Sequence, residues 1–237
     1  MHKNRFYRTW VNSGLVNFTV CEDETDIFIS AEKELKNQAK KLIRRYRSDI
    51  IGYIKIRPEF ETSLEPLLPD DGAPEIVKSM LKAARLTGVG PMAAIAGAVS
   101  EFAGKGLLKF TKQIILENGG DIFIKTDTER KIGIYAGGSP LTGKIAIKIK
   151  PRHTPLGICT SSGSVGHSLS FGKADAVSVI AEDVSLGDAC ATAAANRIKD
   201  QKTIEEALNF AKNIEGIMGV VVIYGNRIGS IGDVELI

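Results

Sequence analysis

Asp188 and Thr192 stand four residues apart in the run Ser185-Leu186-Gly187-Asp188-Ala189-Cys190-Ala191-Thr192. On a helix that spacing puts both side chains on one face. A carboxylate and a hydroxyl presented together are hard oxygen donors, of the kind Mg²⁺ takes while keeping most of its waters. A plainer reading competes. Ser185-x-x-Asp188 has the spacing of a capping box, in which Asp188 merely neutralises the first turn, and on local grounds alone capping is favoured.

Upstream, Thr160-Ser161-Ser162-Gly163-Ser164 is rich in hydroxyls and glycine and leads to His167, one of three histidines in the chain. Such a stretch suits close approach of backbone to a ligand. His167 has the chemistry to contact a phosphate or carry a proton, although a lone histidine beside glycines is more often a satisfied loop residue. No nucleophile elbow accompanies the serines. Asn118-Gly119-Gly120-Asp121 separates two strand-like runs, IILE and IFIK. A hairpin turn is the favoured reading there. The alternative is a loop against a ligand, with Asn118 or Asp121 as its polar contact. Gly88-Val89-Gly90-Pro91-Met92-Ala93 matches G-x-G-x-x-A, but the residues before it are helical in pattern. A dinucleotide fingerprint needs a strand there, so that reading is excluded. What remains is either phosphate binding by the free N–H groups of a helix opening at Gly90 or a tight helix–helix turn, with equal weight.

These residues need a scaffold, and 237 residues can bury a large core. The expectation is a single domain over residues 1–237, with two intimately packed lobes as the alternative. The proline-bearing segment 57–74 is the candidate crossover. A net charge of +3 is too small to argue for nucleic acid. The basic face of a helix over 31–47 (Lys33, Lys36, Lys40, Lys41, Arg44, Arg45) reads as solvated, without interleaved aromatics for base stacking. Three cysteines without a C-x-x-C pair argue against a disulfide scaffold and a structural zinc site. Cys159 and Cys190 are most simply small buried hydrophobes. The N-terminus lacks the apolar core of a signal peptide, and no apolar run reaches the roughly 20 residues of a membrane span. The expectation is a soluble cytoplasmic protein.

Along the chain, residues 6–30 alternate as short antiparallel strands, 31–47 follow helical period, and 51–56 read as a strand. Helices are predicted over 75–86 and from Pro91, a residue suited to a first helical position. Strands are predicted at 113–117, 121–126, 131–135, 145–150, 156–160 and 174–181, then helices at 186–199 and 203–215. A C-terminal hairpin turns at Gly225-Asn226.

Taken in order, the small-residue segment Gly90–Gly104, the Asn118–Asp121 loop, the Thr160–Ser164 loop with His167, and Gly187-Asp188-Ala189-Cys190-Ala191-Thr192 resemble the ApbE-like superfamily. Its best-known members are FAD:protein FMN transferases, and the chain is most similar to a short, uncharacterised branch. The four motifs span about the last two-thirds of the sequence. The resemblance implies an α+β, T-fold-related architecture, an antiparallel sheet layered with helices. It implies that Asp188 and Thr192 match metal-ligand positions, for which Mg²⁺ is the candidate that their oxygen donors offer. It also implies that Gly90, Asn118, Gly119, Gly120, Asp121 and Thr160–Ser164 line a pocket for FAD, FMN or another small phosphorylated ligand. His167 and Asp188 would then serve phosphoryl or nucleotidyl transfer or hydrolysis. Two family features are missing: Ser170 stands where the family has an aspartate, and no lysine occurs beside Ala96-Gly97. A scaffold that binds a small molecule or a partner without turnover is therefore the alternative. A homo-oligomer is compatible with either, since the C-terminal strands could pair within one chain or between two.

Overall fold

The computed structural model describes Arg8, residues 13–163 and residues 172–237. Eight strands form one antiparallel sheet: β1 (Val16–Glu22), β2 (Thr25–Ala31), β3 (Ile114–Asn118), β4 (Asp121–Lys125), β7 (Leu156–Ser161), β8 (Ala176–Ala181), β9 (Ile217–Tyr224) and β10 (Arg227–Gly232), in that spatial order. Two more strands, β5 (Arg130–Gly133) and β6 (Ala146–Ile149), leave the main sheet between β4 and β7 and pair with each other. The C-terminus ties them down, with Lys148 N donating to Glu235 O and Ala146 N to Ile237 O, each at 2.9 Å.

Period-two alternation sorts the sheet into two faces. Phe123, Cys159, Val177, Val179, Val220 and Val222 point into a core shared with the helices. Their neighbours Ile124, Ile158, Ala176, Ile180, Val221 and Ile223 point the other way, into a second core closed by Ile134, Ile147 and Ile149. The architecture is α+β, an antiparallel sheet layered with helices, as the motifs implied.

Among the described residues, α1 (Lys36–Ile56), α4 (Ile95–Leu107), α5 (Val184–Arg197) and α6 (Ile204–Lys212) cover the first face, and α2 (Glu59–Thr62) and α3 (Glu75–Thr87) pack on those helices. The strand expected at 51–56 is not formed, because α1 continues through it. Ile50 and Tyr53 extend the buried stripe begun by Ala39 and Ile43. Ile51 and Ile56 are left exposed. The β-branched residues of that run favour a strand intrinsically, but packing on one stripe overrides propensity. The basic face of α1 is engaged by the β1–β2 hairpin: Arg44 and Lys40 meet Glu22, and Arg47 meets Asp23 and Glu24. The proline-bearing segment packs inward, with Phe60 and Ala73 joining the helix-side core.

Among the described residues no single helix is long and apolar enough to cross a membrane. α3 ends on Gly88 in the left-handed region, at φ 74°, a conformation glycine adopts without cost. Pro91–Ala94 then make one tight 3-10 turn before α4 begins.

Candidate functional site

The site is built where α4 crosses α5 over strands β4 and β7. Gly97 makes the crossing close. A Cβ there would stand 2.5 Å from Val184 O and 2.7 Å from Asp188 Cβ. Gly157 does the same from below, since its Cβ would lie 2.8 Å from Val184 Cα. Glycines on two elements, Gly97 on α4 and Gly157 on β7, therefore bring α5 down onto both.

That approach delivers Asp188 to the start of α4. Gly97 N donates to Asp188 Oδ2 at 2.8 Å, and the Ala96 N–H also acts on the carboxylate. Asp188 is nearly buried and has no ion-pair partner among the described residues. Burial pushes its pKa up to about 7, against the lowering pull of the Gly97 and Ala96 N–H groups. The capping box expected from Ser185-x-x-Asp188 does not form. Asp183 is the N-cap and makes no side-chain cap bond. The Ser185 hydroxyl is spent on Glu101, and Asp188 serves a different helix.

Thr192 lies one turn further along α5 and is also buried. Its hydroxyl makes no hydrogen bond to the described residues. Among those residues no group of three or more His, Cys, Asp or Glu side chains is assembled that could hold a metal. A cation here would meet one carboxylate and one hydroxyl. That donor set suits Mg²⁺, which keeps waters and takes phosphate oxygens as ligands. A carboxylate offers about four lone-pair sites, so the α4 N–H groups leave room on Asp188.

The Asn118–Asp121 turn reaches the same place from the sheet. It is the hairpin expected, with Asn118 paired to Asp121 and both glycines at positive φ (71° and 113°). Asn118 Nδ2 donates to Ala96 O at 3.2 Å, fastening the turn to the first turn of α4. Gly120 faces Thr160 O, 3.3 Å from where its Cβ would be. Asp121 is buried and opposes Cys159 across β4 and β7. Burial drives the Cys159 thiol far above its usual pKa, reinforced by Asp121 and Asp188, so the thiol is inert as a nucleophile.

The hydroxyl-rich stretch divides. The Thr160 side chain turns to the opposite face and bonds Ser178 Oγ at 2.8 Å, so only its backbone serves the site. Ser161 shares the face of Cys159, and its hydroxyl is buried without a hydrogen-bond partner among the described residues. Gly163 closes onto Ala174, its N–H donating to Ala174 O at 3.0 Å. Ser164 and His167 lie outside the described residues, as does Ser170. Gly90 is drawn elsewhere: a Cβ on it would lie 1.8 Å from Ser63 O, so close packing accounts for that glycine.

Two participants escaped the sequence reading. Glu101 sits on α4, buried, and accepts from Ser185 N and Ser185 Oγ, each at 3.1 Å. Arg8 joins Glu117 at 2.6 Å and Asp26 at 2.8 Å, and Glu117 in turn accepts from Gly120 N at 3.0 Å. A signal for Glu101 existed, an acid four residues after Gly97 in an otherwise small and apolar helix. Arg8 carried none.

A family model described as AbpE bacteria matches residues 8–230. A UPF0280 protein of Methanococcus aeolicus is 42% identical over 221 residues, covering 91% of this chain and 89% of the relative. A UPF0280 protein of Methanocaldococcus jannaschii is 39% identical over 217 residues, covering 89% and 88%. Among solved structures, the flavinyl transferase ApbE of Pseudomonas stutzeri superposes with a TM-score of 0.56 at 12% identity, covering 92% of this chain and 94% of that one. The ApbE protein of Thermotoga maritima gives 0.55 at 14%, covering 91% and 96%. At those identities the solved structures establish a shared fold.

Proposed function

The chain belongs to the AbpE bacteria family across residues 8–230, and from that premise we propose that it binds a flavin or another phosphorylated, nucleotide-like ligand where α4, α5 and the Asn118–Asp121 turn meet. Asp188 and Thr192 would hold Mg²⁺ there, and the reaction class would be phosphoryl or nucleotidyl transfer or hydrolysis. One observation carries the reading. A nearly buried carboxylate, Asp188, is held by backbone N–H groups with no cation partner among the described residues, and Thr192, whose hydroxyl makes no hydrogen bond to those residues, lies one turn away. Removing such a carboxylate from water is costly unless positive charge arrives.

Bound Mg²⁺ would supply neutralisation of charge developing on a phosphate. The chain's own residues do the rest. The N–H groups of Ala96 and Gly97 orient the Asp188 carboxylate. The Asn118 amide pins the glycine turn to α4, which would fix a backbone wall for the ligand. Ser161, whose buried hydroxyl has no partner among the described residues, would give it to the ligand. His167 would contact the phosphate or carry a proton.

A non-catalytic binding scaffold is the second reading, and one observation favours it. The basic residue of α4, Lys105, pairs with Glu101 at 2.5 Å, so it would reach a phosphate only by giving up that partner. Thermal melts with FAD, FMN, ATP and GTP, each with and without Mg²⁺, test the proposal. A ligand at about a hundred times its Kd should raise the melting temperature by about 5–10 °C. The rise should require Mg²⁺ and vanish in Asp188→Ala. An Mg²⁺-dependent rise that persists unchanged in that variant removes Asp188 from the site. Binding without turnover under every metal condition selects the scaffold reading.

A further inference from the structure

We propose that Glu101 is the positioning residue for Asp188, acting through a pair of caps that α4 and α5 exchange; its functional meaning rests on the reading of Asp188 given above. The exchange is reciprocal. Gly97 N, in the first turn of α4, donates to Asp188 on α5 at 2.8 Å. Ser185 N, in the first turn of α5, donates to Glu101 on α4 at 3.1 Å, and the Ser185 hydroxyl donates to the same oxygen at 3.1 Å. Each helix lends a carboxylate to the other's N-terminus, where unpaired N–H groups and the macrodipole favour negative charge. Neither helix caps itself, since Ala94 and Asp183 make no side-chain cap bond.

The spacing makes the pair a unit. Gly97 and Glu101 are four apart on α4, and Ser185 and Asp188 are three apart on α5, so each pair shares one helical face. The contact at Gly97 admits no side chain, which leaves the helices little room to slide. Glu101 is anchored in turn. Its second oxygen accepts from Lys105 Nζ at 2.5 Å, and Ser79 Oγ on α3 donates to Ser185 Oγ at 2.9 Å. Holding Ser185 holds the turn that carries Asp188, because a helical backbone moves as one body over a single turn. Glu101, which makes no hydrogen bond to Asp188, thereby sets where its carboxylate stands.

Amide hydrogen exchange on the full chain, free of ligand and metal, reads this coupling. In Glu101→Ala the Ser185 N–H loses its acceptor and exchanges faster. The Gly97 N–H, which Glu101 does not touch, should also lose protection by about tenfold or more relative to the amides of β8. Normalising to β8 separates the coupling from general destabilisation. Glu101→Gln keeps an acceptor oxygen and should restore both amides to within about threefold of wild type. If Glu101→Ala fails to fold, Glu101→Asp, one methylene shorter, should move the same two amides together. Fast Ser185 with fully protected Gly97 overturns the proposal. The readout needs no ligand, so failure of FAD and Mg²⁺ to bind would sink the functional reading without touching this one.

Discussion

On the face of the main sheet away from the helices, Glu117 and Asp26 meet the guanidinium of Arg8. On the helix face, Asp188 meets N–H groups and, among the described residues, no cation. Both sites are buried and both hold carboxylates. The Arg8 side chain is 12% exposed, and its partners Asp26 and Glu117 are 8% and 10% exposed. Burial works against the guanidinium charge, but Glu117 and Asp26 outweigh it and raise its pKa. That site is braced, with Arg8 shared between two carboxylates and Phe28 under the guanidinium at 5.7 Å. The Asp188 site is open in the electrostatic sense, since dipoles hold the carboxylate without cancelling its charge. Carboxylates that share a cation make a brace, and a buried carboxylate without one makes a place where a cation lowers the energy.

Removing the brace should have the largest effect. Arg8→Ala takes from Asp26 and Glu117 the guanidinium they share, and urea unfolding should show a loss of about 3–5 kcal/mol. Because Glu117 also holds Gly120, the turn should loosen with it. A loss under about 1 kcal/mol would class Arg8 with ordinary surface pairs.

The unmatched carboxylate should behave in the opposite sense. The folded-state pKa of Asp188 is raised to about 7 from 3.8. Between those values the folded protein holds a proton that the unfolded chain has released. Its contribution to stability is full below about 4 and lost as pH rises through about 7. Asp188→Asn, free of divalent metal, should therefore gain on the order of 4 kcal/mol at pH 8 relative to wild type, with the gain fading toward pH 4. Urea midpoints across that range check it, and a destabilised Asn variant at pH 8 would show that the charge is already compensated.

The smallest effect sharpens the contrast at one atom. Ser161→Ala removes a buried hydroxyl with no partner among the described residues, so unliganded stability should stay level or rise by up to about 1 kcal/mol. FAD affinity should fall in the same variant. Stability and affinity falling together would mean that the hydroxyl is already satisfied within the fold.

What the sequence determined by itself is what is written within a few neighbouring residues. Alternation announced the strands, helical period announced α3 to α6, and Gly119-Gly120 and Gly225-Asn226 announced their turns. The α5 run put Asp188 and Thr192 on one face, because four residues always make about one turn. Tertiary structure decided the partners. Whether 51–56 would be strand or helix depended on which stripe found a surface to bury. Asp188 passed over its own helix for an N–H 91 residues away, and Glu101 found Ser185 at a separation of 84. The Thr160 hydroxyl faced away from its neighbour Ser161 because the pleat alternates and Ser178 stood across the ladder. Local periodicity is fixed by backbone geometry and survives in any context. The partner of a buried carboxylate is fixed by which helices can pack closely enough to exclude water, and here that turned on Gly97 and Gly157 lacking a Cβ.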